Sequence, residues 1–450
     1  MANPTIIRLK DLAERNLLEY AKYVNKTRSV VGVDGVKTVQ RRLLYVLYKL
    51  ARNKFVKAAT VVGETFKYHP HGNSYDALVQ LVQMGWAIGQ GNWGSRLGLE
   101  PISPAAERYT EVRFNPVFEQ FFRLIDYVPW VVGDIGFKEP LYLPTPIPIC
   151  IIKFTRYPIY AQGIGVGLRS VFPVYDINDL FNRLKHLVAK KDINENVIKP
   201  DFGEYIVEKA DVKSILHTGV GKIYLKPKLL VNETKREVEI LSAPGNVLKA
   251  VDKYLDYVNV VDLSTPLQTR IIVKIKPRRQ LKIDELVKHL QKHLSQTIHV
   301  SCYVAIPDDN GEYATYQIGV DSWLLQTFVR FTKALYTKLS VEKNQIQQKL
   351  QEYQLIEKLK PYIQQALAKT NGKLDVDKFC LEVSPKVNVS PDEIKSLLDK
   401  YSIRKLLTYK LDEEKLKSQI QSIDNKLQNI LQYSIDETGE MVEKIASGVK

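Results

Sequence analysis

The feature that most constrains the fold is a heptad repeat in the last third of the chain. After Asp412, apolar residues follow a 4-3-4-3 spacing, at Leu416, Ile420, Ile423, Leu427 and Ile430. This spacing places them on one stripe of a helix and predicts a coiled-coil seam. A long helix is also predicted after Asp321, with its apolar positions at Leu335, Leu339, Ile346, Leu350, Tyr353 and Ile356. Between the two helices, Ser390 followed by Pro391 is a helix start, which indicates a small helical knob.

Composition limits the function classes. A chain of 450 residues is long enough for two to four domains, and its net charge of +15 indicates a polyanionic partner. A lysine-rich surface would give the same balance in a ribosomal or membrane-surface protein. The three cysteines lie far apart without metal-ligand spacing, and no long apolar run or signal peptide is evident. We therefore expect buried thiols in a soluble protein of the cytoplasm, with no membrane partner.

Near the N-terminus the sequence predicts two helices. Residues 6–24 form an amphipathic pattern with an apolar side at Leu9, Leu12, Leu17 and Tyr20. The Asp34-Gly35 turn then opens a helix whose apolar positions are Val39, Leu43, Val46, Leu47 and Leu50. That register predicts that Arg42 and Lys49 face solvent or phosphate.

Residues 54–84 follow the pattern helix, tight turn, helix. The turn is His69-Pro70-His71-Gly72, Asn73 is the expected N-cap, and the second helix buries Ala77, Leu78, Leu81 and Val82. Such a helix can lie in the major groove of DNA with its N-terminus towards phosphate. Residues 174–320 instead mix helical patterns with strands such as 221–225 and 270–275, which predicts an α/β region.

The segment 105–113 carries the candidate nucleophile. Tyr109 lies between Arg108 and Arg113, so positive charge is available to activate the phenol and to hold a phosphate. Tyrosine suits reversible DNA cleavage, because the phosphotyrosyl bond is close in energy to the phosphodiester that it replaces. Alternatively, Tyr109 only packs its ring and exposes its hydroxyl, as most tyrosines in Arg-rich stretches do.

Three motifs in order give the chain a family resemblance. They are Tyr-His-Pro-His-Gly at 68–72, Gln-Gly-Asn-Trp-Gly at 90–94 and Arg-Tyr-Thr-Glu at 108–111. The chain resembles the DNA-cleavage subunit of type IIA topoisomerases, namely the topoisomerase IV A subunit, gyrase A and, closest in size, the bacteriophage medium subunit. The segments 34–42, 143–148 and 163–167 are similar to further motifs of this family.

The resemblance implies roles for individual residues. Tyr109 would bond to the 5′ end of cut DNA, while Arg108, Arg28 and His71 stabilise the phosphate. Ile164 would be a wedge between base pairs, an established device of DNA-bending proteins; without the resemblance it would be an ordinary core isoleucine. The remaining implied DNA contacts are Lys37, Arg41, Arg42, Lys67, His69, Asn73, Ser74, Gln90, Asn92 and Arg113.

The implied fold is α/β multidomain and mainly helical. It comprises a winged-helix DNA-cleavage domain, an α/β tower domain and a long antiparallel coiled coil with a helical dimerisation gate. The expected boundaries are 1–24 for an N-terminal arm, 25–140 for the winged-helix domain, 141–320 for the tower and 321–450 for the coiled coil. No DNA-wrapping domain is expected before the chain ends at Lys450, which disfavours gyrase-like supercoiling.

The implied partners follow from what the sequence lacks. No acidic cluster can hold Mg²⁺ and no phosphate loop can bind ATP, since both glycine fingerprints are missing. A separate gyrase B-like subunit would supply both, giving a heterotetramer around a homodimer of this chain on double-stranded DNA.

Two alternative functions would share some of these features, but each differs in one feature that distinguishes it. A tyrosine recombinase also uses Arg, His and Tyr, but places its tyrosine near the C-terminus, whereas Tyr109 comes early. A non-enzymatic dimeric DNA-bending or bridging protein would share the basic winged helix and wedge but would form no covalent adduct.

Overall fold

The computed structural model describes residues 8–25, 30–70, 72–133, 135–191, 196–308, 313–369 and 374–448. The chain divides into two compact units, of which one is Met1–Ala334 with Ser434–Lys450 and the other is Leu335–Tyr433. The fold is mixed α/β and contains one helix of 50 residues, so the predicted class is confirmed at this level. The four domain boundaries expected from the sequence stay predictions.

The first unit begins with helices and short strands. In chain order they are α1 (Leu9–Val24), β1 (Val31–Gly32), α2 (Thr38–Leu50), β2 (Val56–Lys57), α3 (Ala58–Thr65), α4 (Tyr75–Gln83), β3 (Ala87–Gln90), β4 (Glu111–Phe114), α5 (Glu119–Phe122), β5 (Trp130–Val132) and β6 (Lys138–Pro140). Helices α2, α3 and α4 contact one another, and the three-stranded sheet has the order β2-β4-β3. The predicted helix, turn, helix over 54–84 is thereby confirmed.

Helix α1 has the predicted amphipathic pattern, but none of its residues is buried. Leu9 is 81% exposed, and Leu17 and Tyr20 are also exposed. Hydrophobic burial within this chain therefore contributes little to the stability of α1.

Helix α2 buries more of its surface than its apolar stripe predicts. Leu43 and Leu47 are 0% exposed and Lys49 faces solvent as expected, but Arg42 is only 4% exposed. The prediction that Arg42 faces solvent is wrong. Strand β6 brings Glu139 against the polar side of α2, and a buried arginine is stable there because this carboxylate pairs with it.

The α/β region follows in the same unit. Its elements are β7 (Gln162–Ile164), β8 (Arg169–Val171), α6 (Ile177–Val188), β9 (Ile206–Ala210), α7 (Val212–Thr218), β10 (Val220–Lys226), β11 (Lys228–Asn232), β12 (Glu237–Ser242), α8 (Val247–Val251), β13 (Val258–Asp262), β14 (Ile271–Ile275), α9 (Ile283–Leu294), β15 (Gln296–Ser301), β16 (Tyr303–Pro307) and β17 (Tyr313–Gln317). One sheet has the order β7-β8-β15-β10-β9 and another β11-β12-β14-β13. The second sheet packs on α8 and α9 around buried Val238, Ile271 and Leu290.

A third sheet ties the two parts of this unit together. Strand β1 pairs in parallel with β16, and β16 pairs antiparallel with β17. The segment that leads into the Asp34-Gly35 turn is therefore fixed to the end of the α/β region.

The second unit is helical. Helix α10 (Val320–Lys369) enters it and is followed by α11 (Val376–Val387), α12 (Pro391–Lys400), α13 (Ile403–Thr408) and α14 (Glu413–Gln428). The last helix, α15 (Ile430–Gly448), begins in this unit, and its residues from Ser434 onwards belong to the first unit. Hydrogen bonds join Lys343 to Asp424 and Gln354 to Glu413, so α10 and α14 run antiparallel. Ser390 caps α12 as the sequence predicts, and α14 begins after Asp412, which caps it; both side-chain oxygens accept from backbone N–H groups.

The predicted second long helix is interrupted. Asn429 has φ −109° and ψ 37°, outside the helical region, and separates α14 from α15. Between α10 and α14, the predicted knob has its own core of apolar side chains, including Ile363, Phe379, Val383 and Ile394. All three cysteines are free and buried, as predicted.

Candidate active site

Tyr109 lies in an exposed turn that leads directly into β4. Its side chain is 64% exposed, and its N–H donates to the Ala106 carbonyl at 2.9 Å. The Arg108 guanidinium lies over the phenol ring, with Cζ 4.6 Å from the ring centroid. The turn thus presents a phenol to solvent with a cation against its face, an arrangement that attracts and orients both groups.

The residue after Tyr109 anchors this turn. Thr110 is 0% exposed, and its Oγ1 lies 3.0 Å from the Tyr75 hydroxyl. That hydroxyl donates to the Ala105 carbonyl at 2.6 Å, and the Thr110 carbonyl accepts from the Ala58 N–H at 3.0 Å. These hydrogen bonds therefore anchor the turn from which Tyr109 is exposed. Tyr75 was not among the predicted site residues, although an aromatic residue directly after the Asn73-Ser74 helix start was a visible signal.

Asn73 joins the second helix to the Tyr109 turn. Its Oδ1 accepts from the Tyr75 N–H at 2.8 Å, and its Nδ2 donates to the Glu107 carboxylate at 3.3 Å. The N-cap position itself belongs to Ser74, which is 5% exposed and makes no side-chain cap bond. The N-cap prediction is thus corrected by one residue, because the side chain of Asn73 reaches the first helical N–H in an Asx turn.

The Gln90–Gly94 loop backs the same turn. Gly91 has a φ of +95°, and a Cβ there would lie 3.4 Å from the Tyr109 carbonyl oxygen. Glycine fits because it tolerates this left-handed backbone. Gln90 and Asn92 are exposed, and the Asn92 carbonyl accepts from the Ala105 N–H at 2.9 Å.

Asp34 organises a buried polar cluster at the turn that precedes α2. Its carboxylate accepts two hydrogen bonds from Arg41, at 2.7 and 3.0 Å, and one from the Leu143 N–H at 2.8 Å. Burial lowers the pKa of Arg41, but the neighbouring Asp34 carboxylate outweighs burial and raises it overall. Arg41 is 5% exposed and pairs with the Asp34 carboxylate. The same carboxylate binds the Leu143 N–H and so fixes the Asp34-Gly35 turn to the segment that begins at Leu143.

Arg42 forms a second buried cluster. Its Nε and Nη2 each donate to the Glu139 carboxylate at 2.6 Å, and its Nη1 lies 3.0 Å from Nδ1 of His69. His69 is half-buried and opens the His-Pro-His-Gly turn. The structure therefore brings two of the predicted DNA contacts, Arg42 and His69, into contact with each other.

The other basic candidates differ in their surroundings. Lys67 is exposed and pairs with Glu64 at 2.8 Å, whereas Lys37 is half-buried and desolvation lowers its pKa. The Arg113 guanidinium lies over the Phe55 ring, with Cζ 5.2 Å from the centroid. Among the described residues the buried Nε of Arg113 has no hydrogen-bond partner. Arg28 and His71 lie outside the described residues.

Ile164 lies at the end of β7, in the hairpin that β7 forms with β8. It is 78% exposed, so the alternative of an ordinary core isoleucine is wrong. The turn after it is tight, because the Gly165 N–H donates to the Leu168 carbonyl at 2.9 Å. An exposed apolar side chain at a rigid turn has the shape that a wedge requires.

Over the residues that the structure describes, no group of three or more His, Cys, Asp or Glu side chains is arranged to hold a metal ion. Within the same residues, none of the helices combines the length and the hydropathy needed to span a membrane.

Comparison with known proteins extends these observations. Residues 28–446 match the family of the A subunit of DNA gyrase/topoisomerase IV. The A subunit of DNA topoisomerase 4 from Borreliella burgdorferi is 24% identical over 459 residues, which cover 95% of this chain and 69% of that protein. The A subunit of DNA gyrase from Thermotoga maritima is 32% identical over 300 residues, covering 59% of this chain and 36% of that protein. The A subunit of DNA gyrase from Helicobacter pylori is 31% identical over 316 residues, which cover 62% of this chain and 37% of that protein.

The chain thus spans little more than a third of the length of these gyrase proteins. Because the family match covers nearly all of this sequence, the chain belongs to the A-subunit family of DNA gyrase and topoisomerase IV, the DNA breakage–reunion subunits of type II topoisomerases.

Proposed function

We propose that Tyr109 is the nucleophile of reversible DNA cleavage by this chain. The observation that supports it best is the exposed phenol of Tyr109, which lies under the Arg108 guanidinium on a turn anchored by Thr110. A ring that merely packs would be covered, whereas this one is 64% exposed at the end of a rigid segment. The arrangement suits attack on a bulky polymer that approaches from solvent.

The reaction exchanges one phosphodiester for another. The Tyr109 oxygen attacks the phosphorus, the bond from phosphorus to the 3′ oxygen breaks, and the phenolic proton passes to solvent as the 3′ hydroxyl gains one. Tyr109 is then bonded to the 5′ phosphate, and attack by the 3′ hydroxyl reverses each step. Arg108 stabilises the negative charge that develops on the phosphate, and Arg28 and His71 are proposed for the same role on sequence grounds alone.

The assembly follows from the chemistry. One tyrosine cuts one strand, so a double-strand break takes two copies of this chain, which we infer to be a homodimer. A separate gyrase B-like subunit would bind ATP and hold Mg²⁺, which helps to neutralise phosphate charge, and the complex would be a heterotetramer on double-stranded DNA in the cytoplasm. The relatives described above are bacterial, and the bacteriophage origin expected from size stays a prediction.

Domain roles complete the proposal. Residues 25–140 would be the winged-helix cleavage domain, 141–320 the tower that carries Ile164, and 321–450 the coiled coil with its dimerisation gate.

The DNA contacts are proposed for the exposed candidates Lys67, Asn73, Gln90 and Asn92. Arg41, Arg42 and Ser74 are at most 5% exposed, so we assign them to support of the site.

The test is strand passage by a reconstituted complex. The purified chain, a gyrase B-like subunit, Mg²⁺ and ATP should relax supercoiled plasmid or unlink catenated circles, and Tyr109→Phe should abolish this. Tyr316→Phe is a matched control, because Tyr316 is also exposed, at 51%, in the same unit. DNA binding and bending without any strand passage would favour the non-enzymatic alternative, and ATP-dependent passage by this chain alone would contradict the partner requirement.

A further inference from the structure

Glu139, Arg42 and His69 form a chain of hydrogen bonds that joins three distant segments. Glu139 lies on β6 and is 9% exposed, Arg42 lies on α2, and His69 begins the turn between α3 and α4. Both carboxylate oxygens of Glu139 accept from Arg42 at 2.6 Å, and Nη1 of Arg42 lies 3.0 Å from Nδ1 of His69. Bidentate pairing fixes the plane of a guanidinium. Glu139 therefore determines where Nη1 of Arg42 points.

The contact between Nη1 of Arg42 and Nδ1 of His69 determines the tautomer of His69. An arginine guanidinium has only donors, so Arg42 supplies the hydrogen and Nδ1 of His69 accepts it. In a neutral imidazole whose Nδ1 accepts, the proton is on Nε2, which is then the donor. Rotation of Arg42 away from His69 would remove the preference for this tautomer and the restraint on the ring.

The position of His69 relates it to the cleavage site. It lies four residues before Asn73, and Asn73 contacts Glu107, two residues before Tyr109. A histidine in this turn with a fixed Nε2–H is suited to donate to a phosphate oxygen of the DNA backbone. A flipped or protonated ring would no longer accept from Arg42.

We propose that Glu139 is a positioning residue for DNA cleavage, which acts through Arg42 to hold His69 as the Nε2–H tautomer that donates to the DNA backbone. This inference rests on the proposed cleavage function. It also gives Arg42 a role other than direct phosphate binding, because its charge is balanced by a buried carboxylate.

The test separates positioning from stability. Glu139→Gln keeps the shape of the side chain but weakens the pair, and Asp321→Asn is the matched control. Asp321 also holds a buried arginine through two bonds, to Arg183 at 2.8 and 2.7 Å, on helices α6 and α10. Each variant is assayed with Mg²⁺ and a gyrase B-like subunit. The measured quantities are the cleavage and religation rates, the DNA affinity and the thermal midpoint.

For Glu139→Gln we expect cleavage and religation to slow together by about ten-fold or more, with the cleaved fraction and the DNA affinity unchanged. An interaction made in the transition state affects both directions alike. Asp321→Asn should lower the thermal midpoint without changing either rate of the folded protein. Glu139→Asp, which keeps the charge but shortens the reach, should give a smaller loss of rate and serves as the second variant if Glu139→Gln does not fold.

A double-mutant cycle decides the mechanism. His69→Gln replaces the ring with an amide whose nitrogen donates from near the Nε2 position and needs no tautomer control. In that background Glu139→Gln should change the rates by less than about two-fold, because the coupled partner is already gone. An equal loss in both backgrounds, or unchanged rates in Glu139→Gln alone, would overturn the positioning role while leaving the proposed function intact. Absence of any Tyr109 adduct in the wild-type complex would instead remove the function itself.

Discussion

The side-chain amide of Asn25 pairs with the backbone of Val166 at two points. Oδ1 of Asn25 accepts from the Val166 N–H at 3.1 Å, and Nδ2 donates to the Val166 carbonyl at 3.4 Å. Asn25 follows α1 directly and is 8% exposed, while Val166 lies two residues after Ile164. A Cβ on the intervening Gly165 would lie 2.1 Å from Oδ1 of Asn25, so only glycine permits this approach. The exposed Ile164 is thus held by a residue 139 positions earlier in the chain.

Asn25→Ala should loosen the turn that carries Ile164 and reduce DNA bending. The expected result is a smaller mean bend angle by FRET on end-labelled duplex, with initial DNA affinity changed by less than about three-fold, since the charged contacts remain. Asn25→Asp keeps the acceptor for the Val166 N–H and should bend DNA more than the alanine variant does. Equal bending by wild type and Asn25→Ala would show that the turn does not depend on this pair.

Ile164→Ala should weaken bending and cleavage together. Unstacking a base step costs a few kcal/mol, and without the wedge nothing offsets this cost. Leu267→Ala is the matched control, because Leu267 is an apolar side chain that is 81% exposed in the same unit. The bend angle and the cleaved fraction should fall for Ile164→Ala only, and an unchanged bend angle would refute the wedge.

Lys37→Met should stabilise the unbound protein and weaken DNA binding. Burial lowers the pKa of Lys37 from its ordinary value of 10.5, so its charge is unfavourable in the folded state at neutral pH. This penalty is relieved as pH rises through the lowered pKa, so the stability gap between Lys37→Met and wild type should shrink in alkaline solution.

The DNA affinity of the same variant gives a second measurement. If Lys37 neutralises one DNA phosphate, Lys37→Met should reduce the slope of log K against log salt by about 0.9. Lys67→Met, at an exposed lysine that is itself a proposed DNA contact, is the control for stability: it should reduce the salt slope as well but leave the thermal midpoint nearly unchanged. A lower thermal midpoint for Lys37→Met would contradict a desolvated charge at this position.

Arg108→Ala should slow cleavage by roughly a hundred-fold, the scale expected when a charged group that stabilises the transition state is removed. Arg108→Lys keeps the charge but not the planar stacking on Tyr109, and should retain an intermediate rate. Arg96→Ala is the control, since Arg96 is exposed in the neighbouring loop. Single-turnover cleavage rates that are the same for all three variants would exclude Arg108 from the chemistry.

Local patterns in the sequence predicted much of this fold. The heptad after Asp412, the cap at Ser390 and the helix, turn, helix before Tyr109 depend on residues that are close in sequence, so their spacing was sufficient. The interruption at Asn429 was missed because the apolar spacing continues through it to Ile430.

Long-range polar pairing could not be predicted. Arg42 was expected at the surface because its partner Glu139 is 97 residues away and no periodic signal relates them. Asp262 likewise accepts from the Leu99 N–H at 2.7 Å across 163 residues. Burial raises the pKa of the Asp262 carboxyl, but hydrogen bonds from Ser264 and Leu99 outweigh burial and lower it overall. Such pairs depend on how the elements pack, which spacing does not encode.

The most direct test of Tyr109 as the nucleophile is to identify the residue that becomes bonded to DNA. The chain is incubated with a gyrase B-like subunit, Mg²⁺ and 5′-labelled or 3′-labelled duplex, quenched with denaturant, digested and mapped by mass spectrometry. We predict a single adduct between Tyr109 and a 5′ phosphate, and its loss in Tyr109→Phe with DNA affinity and folding retained. The chain contains 25 tyrosines, so the mapped peptide distinguishes an adduct on Tyr109 from an adduct on any other tyrosine. A DNA-linked peptide that excludes Tyr109, a 3′ linkage, or an adduct that persists in Tyr109→Phe would contradict the proposed mechanism.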